Sequence, residues 1–353
     1  MKKETLAIIY GGKSSEHEVS LLTAKSIINE INQEKYNIFP IFIDNEGNWA
    51  RGEKITKKIE DVKELIFNNF TKDIVSLLYV DNKKIDIVFP VLHGPNGEDG
   101  TIQGFFETID IAYIGNNVIS SATGMDKAVT KKIFSSIGLP QLPYVDFIAN
   151  DWKHTKEDIL QNIEQKLNYP MFVKPANLGS SVGISRCENK DKLILGIEEA
   201  LKFDRRIVVE EGVVGAKEIE VSTLGYNSIS STDPGEICNI STSDFYDYDT
   251  KYTDGQSKME IPANIDKNLY PIFREMAERA FKALDCSGLA RVDFFLTKDG
   301  KIYINEINTM PGFTKFSMFP SLWNNMGISY SQIIETLIKL AKERYNERKL
   351  LKQ

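Results

Sequence analysis

The chain has 353 residues, 42% of them hydrophobic and 26% charged, and a net charge of −7. That length accommodates two or three domains of about 100–200 residues, with the composition of an ordinary globular protein. The negative charge argues against nucleic acid or an anionic membrane as the main partner, and no apolar run is long enough to span a bilayer. The three cysteines, Cys187, Cys238 and Cys286, lie far apart, and any disulfide would leave one over. Reduced thiols and a cytosolic setting are therefore expected. The first apolar run, residues 6–10, is too short for a signal peptide.

In chain order, residues 6–10 read as a buried strand, 11–15 as a turn, and Val19, Leu22, Ile27 and Ile31 as a helical stripe. Residues 38–43 predict a second strand. Residues 85–92 predict a third, ending in the loop His93-Gly-Pro-Asn-Gly-Glu-Asp-Gly100, after which Ile102, Phe105, Phe106 and Ile109 share a helix face. Alternating strands and helices imply a parallel sheet, whose ligands gather at the carboxyl ends of strands. The polar loops after Tyr10 and Leu92 lie at such ends. Gly12-Lys13-Ser14 imitates the end of a P-loop, but Ala7 stands where that motif needs its first glycine. No G-x-G-x-x-G follows the first strand, so a nicotinamide-linked dehydrogenase is unsupported. Glu16 and Glu18 open the first helix, where an acid ordinarily caps or complements the helix dipole. His93 is one of three histidines without metal spacing and is no zinc ligand.

A second region begins near Ile119. Residues 125–137 predict a helix stopped by Gly138 and Pro140. Residues 170–175 and 184–187 read as strands, with Asn177-Leu-Gly-Ser-Ser-Val-Gly183 between them. Such a loop either folds over phosphates, offering backbone N–H groups and hydroxyls, or is a flexible hairpin turn. Lys174, on the strand end beside it, favours the phosphate. Lys127, on the preceding helix, reads by itself as a surface lysine. Residues 193–201 are expected to be helical and 207–210 a strand. A third region starts about Gly212. In it, Phe245-Tyr-Asp-Tyr-Asp-Thr-Lys-Tyr-Thr253 is too charged for a core strand. It is an exposed loop, of the kind that often serves as an active-site lid. Residues 331–351 predict a final amphipathic helix.

Residues 291–312, RVDFFLTKDGKIYINEINTMPG, form the most informative stretch. Asp299-Gly300 between apolar runs predicts a hairpin with a two-residue loop. The register then opposes Lys298 to Lys301, Leu296 to Tyr303, Asp293 to Glu306 and Arg291 to Asn308. Alternation puts Arg291, Asp293, Glu306 and Asn308 on one face. Opposed carboxylates repel. A hard divalent cation would remove the conflict, and two carboxylates with an amide oxygen suit Mg²⁺ that also binds phosphates. The plain alternative is a solvated face on which Arg291 offsets one acid.

Asp-x-Phe at 293–295, then Asn-Glu-Ile-Asn-Thr-Met-Pro-Gly at 305–312, resembles the magnesium strand pair of the ATP-grasp enzymes. With residues 10 to about 327 taken together, the chain resembles the D-alanine–D-alanine ligases. The resemblance implies an α/β, three-domain ATP-grasp architecture: a Rossmann-like parallel-sheet domain at 1–118, a central ATP-grasp subdomain with the glycine-rich loop at 119–211, and a C-terminal subdomain at 212–353. It implies ATP, with Mg²⁺ or alternatively Mn²⁺, held by Asp293, Glu306 and Asn308. Lys127 and Lys174 match the lysines on the α- and β-phosphates, Lys251 the one on the γ-phosphate, and Ser181 and Val213 further nucleotide contacts. Glu210 matches the hinge residue by the adenine. Residues 212–217 are one longer than in some relatives, which leaves Glu211 as an alternative. Glu218 matches the carboxylate on the ribose.

For the amino acids, the resemblance places Glu16 on the ammonium of a first D-alanine and His93 near its carboxylate. Ser317 would bind the second carboxylate, with Met318 beside the methyl group. Arg291 and the Gly312 N–H would stabilise an oxyanion, and Tyr252 would reach across to Ser180 and Glu16 from the lid. Lys315-Phe316 departs from the Ser-His of many relatives. The implied reaction joins two D-alanines through an acyl phosphate, for peptidoglycan synthesis, in a cytoplasmic homodimer. D-serine or D-lactate ligation, and a non-catalytic nucleotide sensor, are the alternatives; Met318 speaks for D-alanine, since relatives using the other substrates commonly carry arginine there.

Overall fold

The computed structural model describes residues 3–179, 182–239 and 257–351. Strand β1 (Glu4–Gly11) is parallel to β2 (Tyr36–Ile43) on one side and to β6 (Ile87–Pro90) on the other. A short β3 (Trp49–Arg51) pairs antiparallel at the edge, and β7 (Ala112–Tyr113) completes the order β3-β2-β1-β6-β7. Strands β4 (Tyr79–Val80) and β5 (Lys83–Lys84) form a separate two-stranded ribbon. The run from Leu6 to Tyr10 is fully buried, as expected for a parallel strand covered on both faces. Helices α1 (His17–Glu30) and α2 (Thr101–Thr108) follow the two polar loops. At the end of β1, Gly11 has φ +89°, and a Cβ there would stand 2.1 Å from the Ile43 carbonyl oxygen. Only glycine permits that turn.

A helix that the sequence did not announce, α3 (Val118–Met125), precedes α4 (Lys127–Ser136), which is the helix predicted at 125–137. Asp126 separates them, its carboxylate accepting the Val129 N–H as the N-cap of α4 and pairing with Arg206 at 2.9 Å. A second sheet, all antiparallel, has the order β10-β9-β11-β8. Its strands are β8 (Tyr144–Ile148), β9 (Met171–Pro175), β10 (Ser185–Cys187) and β11 (Arg206–Glu211). Helices α5 (Ala149–Lys166) and α6 (Lys190–Ala200) supply Leu160, Ile163, Leu193 and Ile197 to a core shared with Val173 and Val209. The glycine-rich loop joins β9 to β10, as anticipated.

The third sheet is built on β12 (Lys217–Gly225), with β13 (Ile229–Ser231) paired to its end. Its path is β15-β14-β12-β16-β17, using β14 (Gly235–Asn239), β15 (Ser257–Glu260), β16 (Gly288–Leu296) and β17 (Ile302–Asn308). Helix α7 (Tyr270–Ala283) packs Phe273, Ala277 and Phe281 against Val292, Phe294, Ile304 and Ile307. Helices α8 (Met318–Asn325) and α9 (Tyr330–Leu350) instead join the core of the first sheet: Phe319, Trp323, Ile333 and Leu337 belong to one cluster with Ile8, Tyr10 and Ile38.

The β16–β17 hairpin pairs Arg291 with Asn308 and Asp293 with Glu306, as read from the sequence. Beyond that, the predicted register fails. Leu296 pairs with Ile302, not Tyr303. The loop has three residues, 298–300, because Thr297 N–H bonds the Lys301 carbonyl at 2.9 Å and Gly300 takes φ +81°. That is a turn closed by a left-handed glycine. A bulge after Asp293 absorbs the extra residue. Its effect is to change the phase of β17, so that Ile304 and Ile307 both enter the core while Asn305, Glu306 and Asn308 do not.

Candidate active site

The three sheets bring charged side chains to one cleft. Lys174, on β9, donates to Glu210 Oε2 at 2.9 Å, and Lys131 lies 3.3 Å from Oε1. Burial raises a carboxyl pKa, but the two ammonium charges outweigh it and hold Glu210 below its ordinary value. Burial depresses Lys131, whereas Lys174, also buried, is raised by Glu210, Glu306 and Glu218. Glu210 Oε1 is buried and meets only the longer 3.3 Å contact from Lys131. A buried carboxylate oxygen with lone-pair capacity to spare suits an amino group like adenine's. Glu211 points elsewhere, accepting from the Asn168 N–H and amide at 2.8 and 2.9 Å. Of the two hinge candidates, Glu210 is therefore the one in the cleft. Val213 lies in the connection between β11 and β12.

Lys127 stands at the start of α4 and donates to the Leu178 carbonyl at 2.7 Å; its ammonium is 3.6 Å from Glu306. It is no free surface lysine but ties the glycine-rich loop to β17. Lys174 also reaches Asn305 at 3.5 Å. Across the third sheet, Glu218, Glu220, Arg291, Asp293, Glu306 and Asn308 share a face through successive registers. Arg291 grips Asp293 with two hydrogen bonds, 2.7 and 2.8 Å, and sits 3.0 Å from Glu220. Asn308 donates to Asp293 at 2.9 Å. The repulsion expected between Asp293 and Glu306 is thus already offset, by Arg291 on one acid and Lys127 on the other. Burial works against the Arg291 charge, but Asp293 and Glu220 together hold its pKa well above the ordinary value. The donor set of Asp293, Glu306 and the Asn308 amide is all oxygen and faces one way, which fits a hard divalent cation. The ion would compete with Arg291 for Asp293.

Glu16 is the N-cap residue of α1, yet its carboxylate does not cap. It reaches the His93–Gly94 loop and the glycine-rich loop: a Cβ on Gly94 would lie 2.8 Å from Glu16 Oε2, and one on Gly179 3.7 Å. Gly94 has φ +76°, so both backbone and space call for glycine there. Glu16 is nearly buried, as is His93. Burial lowers an imidazole pKa, but the bond and charge of Glu98, with the charge of Glu16, outweigh it and raise that of His93. Ser14 links the two loops, its hydroxyl donating to the His93 carbonyl at 2.8 Å and accepting the Glu16 N–H at 2.9 Å. A Cβ on Gly312 would be 3.3 Å from Ser317 Oγ, so those two residues adjoin. Ser317 Oγ accepts the Thr314 N–H at 3.1 Å. Met318 is buried against Gly235, while Phe316 is 81% exposed.

Ser180, Ser181, Lys251 and Tyr252 lie outside the described residues, as does the loop at 245–253. Four cleft residues escaped the reading of the sequence: Glu98, Lys131, Glu220 and Asn305. Lys131 is one helical turn beyond Lys127, and Glu220 is two residues beyond Glu218 on the same strand face; both spacings carry a signal. A cavity of about 270 Å³ lies apart from the cleft, lined by Tyr113, Tyr226, Asp285 and Arg344. Among the described residues, no helix is long and apolar enough to cross a membrane.

Comparison with known proteins points the same way. The family model described as D-ala D-ala ligase N-terminus matches residues 5–116, and the C-terminus model matches 133–339. The chain is 55% identical to a D-alanine–D-alanine ligase of Macrococcus caseolyticus, covering 100% of this chain and 99% of that one. It is 51% identical to one of Staphylococcus epidermidis, covering 99% and 98%. The crystal structure of the VanG D-Ala:D-Ser ligase from Enterococcus faecalis superposes with a TM-score of 0.85 at 36% identity, over 96% of this chain and 100% of that one. The D-alanine–D-alanine ligase of Coxiella burnetii gives 0.81 at 29% identity, over 99% and 97%. This chain belongs to the D-alanine–D-alanine ligase family, with the ATP-grasp fold.

Proposed function

We propose that the cleft joins two D-alanines at the expense of ATP, giving D-alanyl-D-alanine, ADP and phosphate. The observation that carries this reading is the convergence of Lys174, Glu210, Lys127 and the acid pair Asp293 and Glu306 between two antiparallel sheets, with Glu16 beside the glycine-rich loop. In the first step a carboxylate oxygen of one D-alanine attacks the γ-phosphorus, and ADP leaves with the electrons of the broken bond. Glu16 orients that substrate by its ammonium, and His93 faces its carboxylate. Lys127 and Lys174 hold the phosphates. Mg²⁺, or Mn²⁺, bound by Asp293, Glu306 and Asn308 would neutralise phosphate charge. In the second step the amine of the other D-alanine attacks the acyl carbon, a C–N bond forms, phosphate departs and the nitrogen loses a proton. Arg291 and the Gly312 N–H stabilise the oxyanion. Ser317 holds the second carboxylate. Ser180, Ser181, Lys251 and Tyr252 complete the site by resemblance.

The free thiols Cys187, Cys238 and Cys286 agree with a cytoplasmic enzyme. A homodimer, and domains at 1–118, 119–211 and 212–353, belong to the same reading. The dipeptide would feed peptidoglycan synthesis. Met318 offers a serine hydroxyl no partner, and an unpaired buried hydroxyl costs about 1–3 kcal/mol, roughly tenfold to a hundredfold in selectivity. Release of ADP with D-alanine, D-serine and D-lactate, and the mass of each product, tests the proposal. D-Ala-D-Ala is expected to dominate when D-alanine and D-serine compete equally near neutral pH. A predominance of D-Ala-D-Ser would overturn the second-site reading, and the absence of substrate-dependent ADP release would overturn the ligase.

A further inference from the structure

Lys131 has no role in the mechanism above, yet its side chain is only 3% exposed, as is that of Glu210. An enclosed ammonium is costly unless paired. Its ion-pair partner is Glu210, and its ammonium also lies 5.4 Å from the centre of the Tyr144 ring. One carboxylate therefore lies between two ammonium groups. The two contacts are unlike: Lys174 makes a 2.9 Å hydrogen bond to Oε2, and Lys131 makes a longer contact, 3.3 Å, to Oε1. Lys174 also sits at the end of β9, where the glycine-rich loop begins; Lys131 sits a turn into α4, behind Glu210.

We propose that Lys131 is the standing counter-ion of Glu210, a positioning residue that lets Lys174 pass from Glu210 to a nucleotide phosphate. The proposal rests on the nucleotide reading of the cleft given above. A phosphate that recruits Lys174 must draw it from Glu210. Were Lys174 the sole cation there, its departure would leave a buried carboxylate uncompensated, which is strongly unfavourable. Lys131 removes that obstacle. It keeps Glu210 ionised and leaves Oε1 open as an acceptor. Lys131 thus acts through Glu210 and Lys174 and need not touch the nucleotide.

Calorimetric binding of ADP with Mg²⁺, without amino acids, tests this apart from turnover. Lys131→Met should weaken ADP about tenfold, within the usual range of coupling between linked sites. Lys131→Arg, which keeps the charge, should restore most of the loss. In a Glu210→Gln background the amide still accepts through its oxygen but carries no charge for either lysine to balance. There Lys131→Met should leave ADP affinity unchanged. Melting temperatures identify folded variants, and Lys131→Gln serves if the methionine variant does not fold. The proposal is overturned if Lys131→Met weakens ADP equally in both backgrounds, or binds ADP like the wild type while Lys174→Met does not. Should Lys174→Met also bind like the wild type, the nucleotide reading itself falls and the proposal with it.

Discussion

Arg291 is claimed twice, and that shapes what single substitutions will do. It holds Asp293 with two hydrogen bonds and lies against Glu220, while the proposed chemistry asks it to face an oxyanion and asks Asp293 to face a metal. A divalent ion at Asp293 would replace the charge that Arg291 supplies and free the guanidinium for the reacting carbonyl. Asp293→Asn should therefore act on both. We expect melting to shift by the equivalent of about 1.5–3 kcal/mol, the range for charged hydrogen bonds, and not more, because Arg291 retains Glu220. We also expect a large rise in the Mg²⁺ concentration needed for turnover. An unchanged Mg²⁺ titration alongside reduced turnover would remove Asp293 from the ligand set. Much of this was legible in the residues themselves. Acids and an amide at period-two spacing announce a shared face, and Glu16 and His93 stand where parallel strands deliver their loops. What the sequence hid was pairing. Nothing in it says that Lys127 meets Glu306 or that Lys131 meets Glu210, because those partners lie on other elements, 179 and 79 residues away by their numbering.

The β16–β17 hairpin shows how two irregularities can leave a site intact. A two-residue loop would have paired Leu296 with Tyr303; the real loop is one residue longer, and the bulge after Asp293 takes up the difference. The acid pair was placed correctly from sequence because the two departures cancel along the strand. A bulge has no reliable sequence signature, so Asn305 and its approach to Lys174 could not be read. The turn depends on Gly300 at φ +81°, where an added Cβ would meet nothing within 4 Å. Gly300→Ala should accordingly lose only the cost of left-handed backbone, about 1 kcal/mol, and Gly300→Asn less. Urea midpoints measure both. Equal stability of the glycine and alanine forms would show that the turn relaxes to another shape.

At the scale of the whole chain, the sequence marked three regions but not how they interlock. The final helix reads from sequence as amphipathic, with a solvated basic end. In the structure, α8 and α9 complete the core of the first sheet, where Phe319, Trp323, Ile333, Leu337 and Ile338 meet Ile8, Tyr10, Leu21 and Ile38. Tyr330 donates to the Phe313 carbonyl at 2.6 Å, and Lys35 pairs with Glu335 at 3.0 Å. Periodicity shows that a helix has an apolar face; it does not show which sheet that face will meet. A chain ending at residue 317 should therefore expose the underside of the first sheet. It should bind a hydrophobic dye and unfold at lower urea than the full chain. A truncated protein that binds no dye and melts like the full one would contradict this packing.

The same arrangement bears on how the protein is made. The ribosome delivers β1 and α1 long before α8 and α9, so the first sheet waits for both intervening regions to be made before its apolar face is covered. Domains often mature one by one as they emerge, but this one cannot finish until α9 has emerged. Nascent chains will carry Ile8, Tyr10 and Leu21 beneath an incomplete cover until α8 and α9 emerge, a standing demand on whatever shields unfinished polypeptides in the cell.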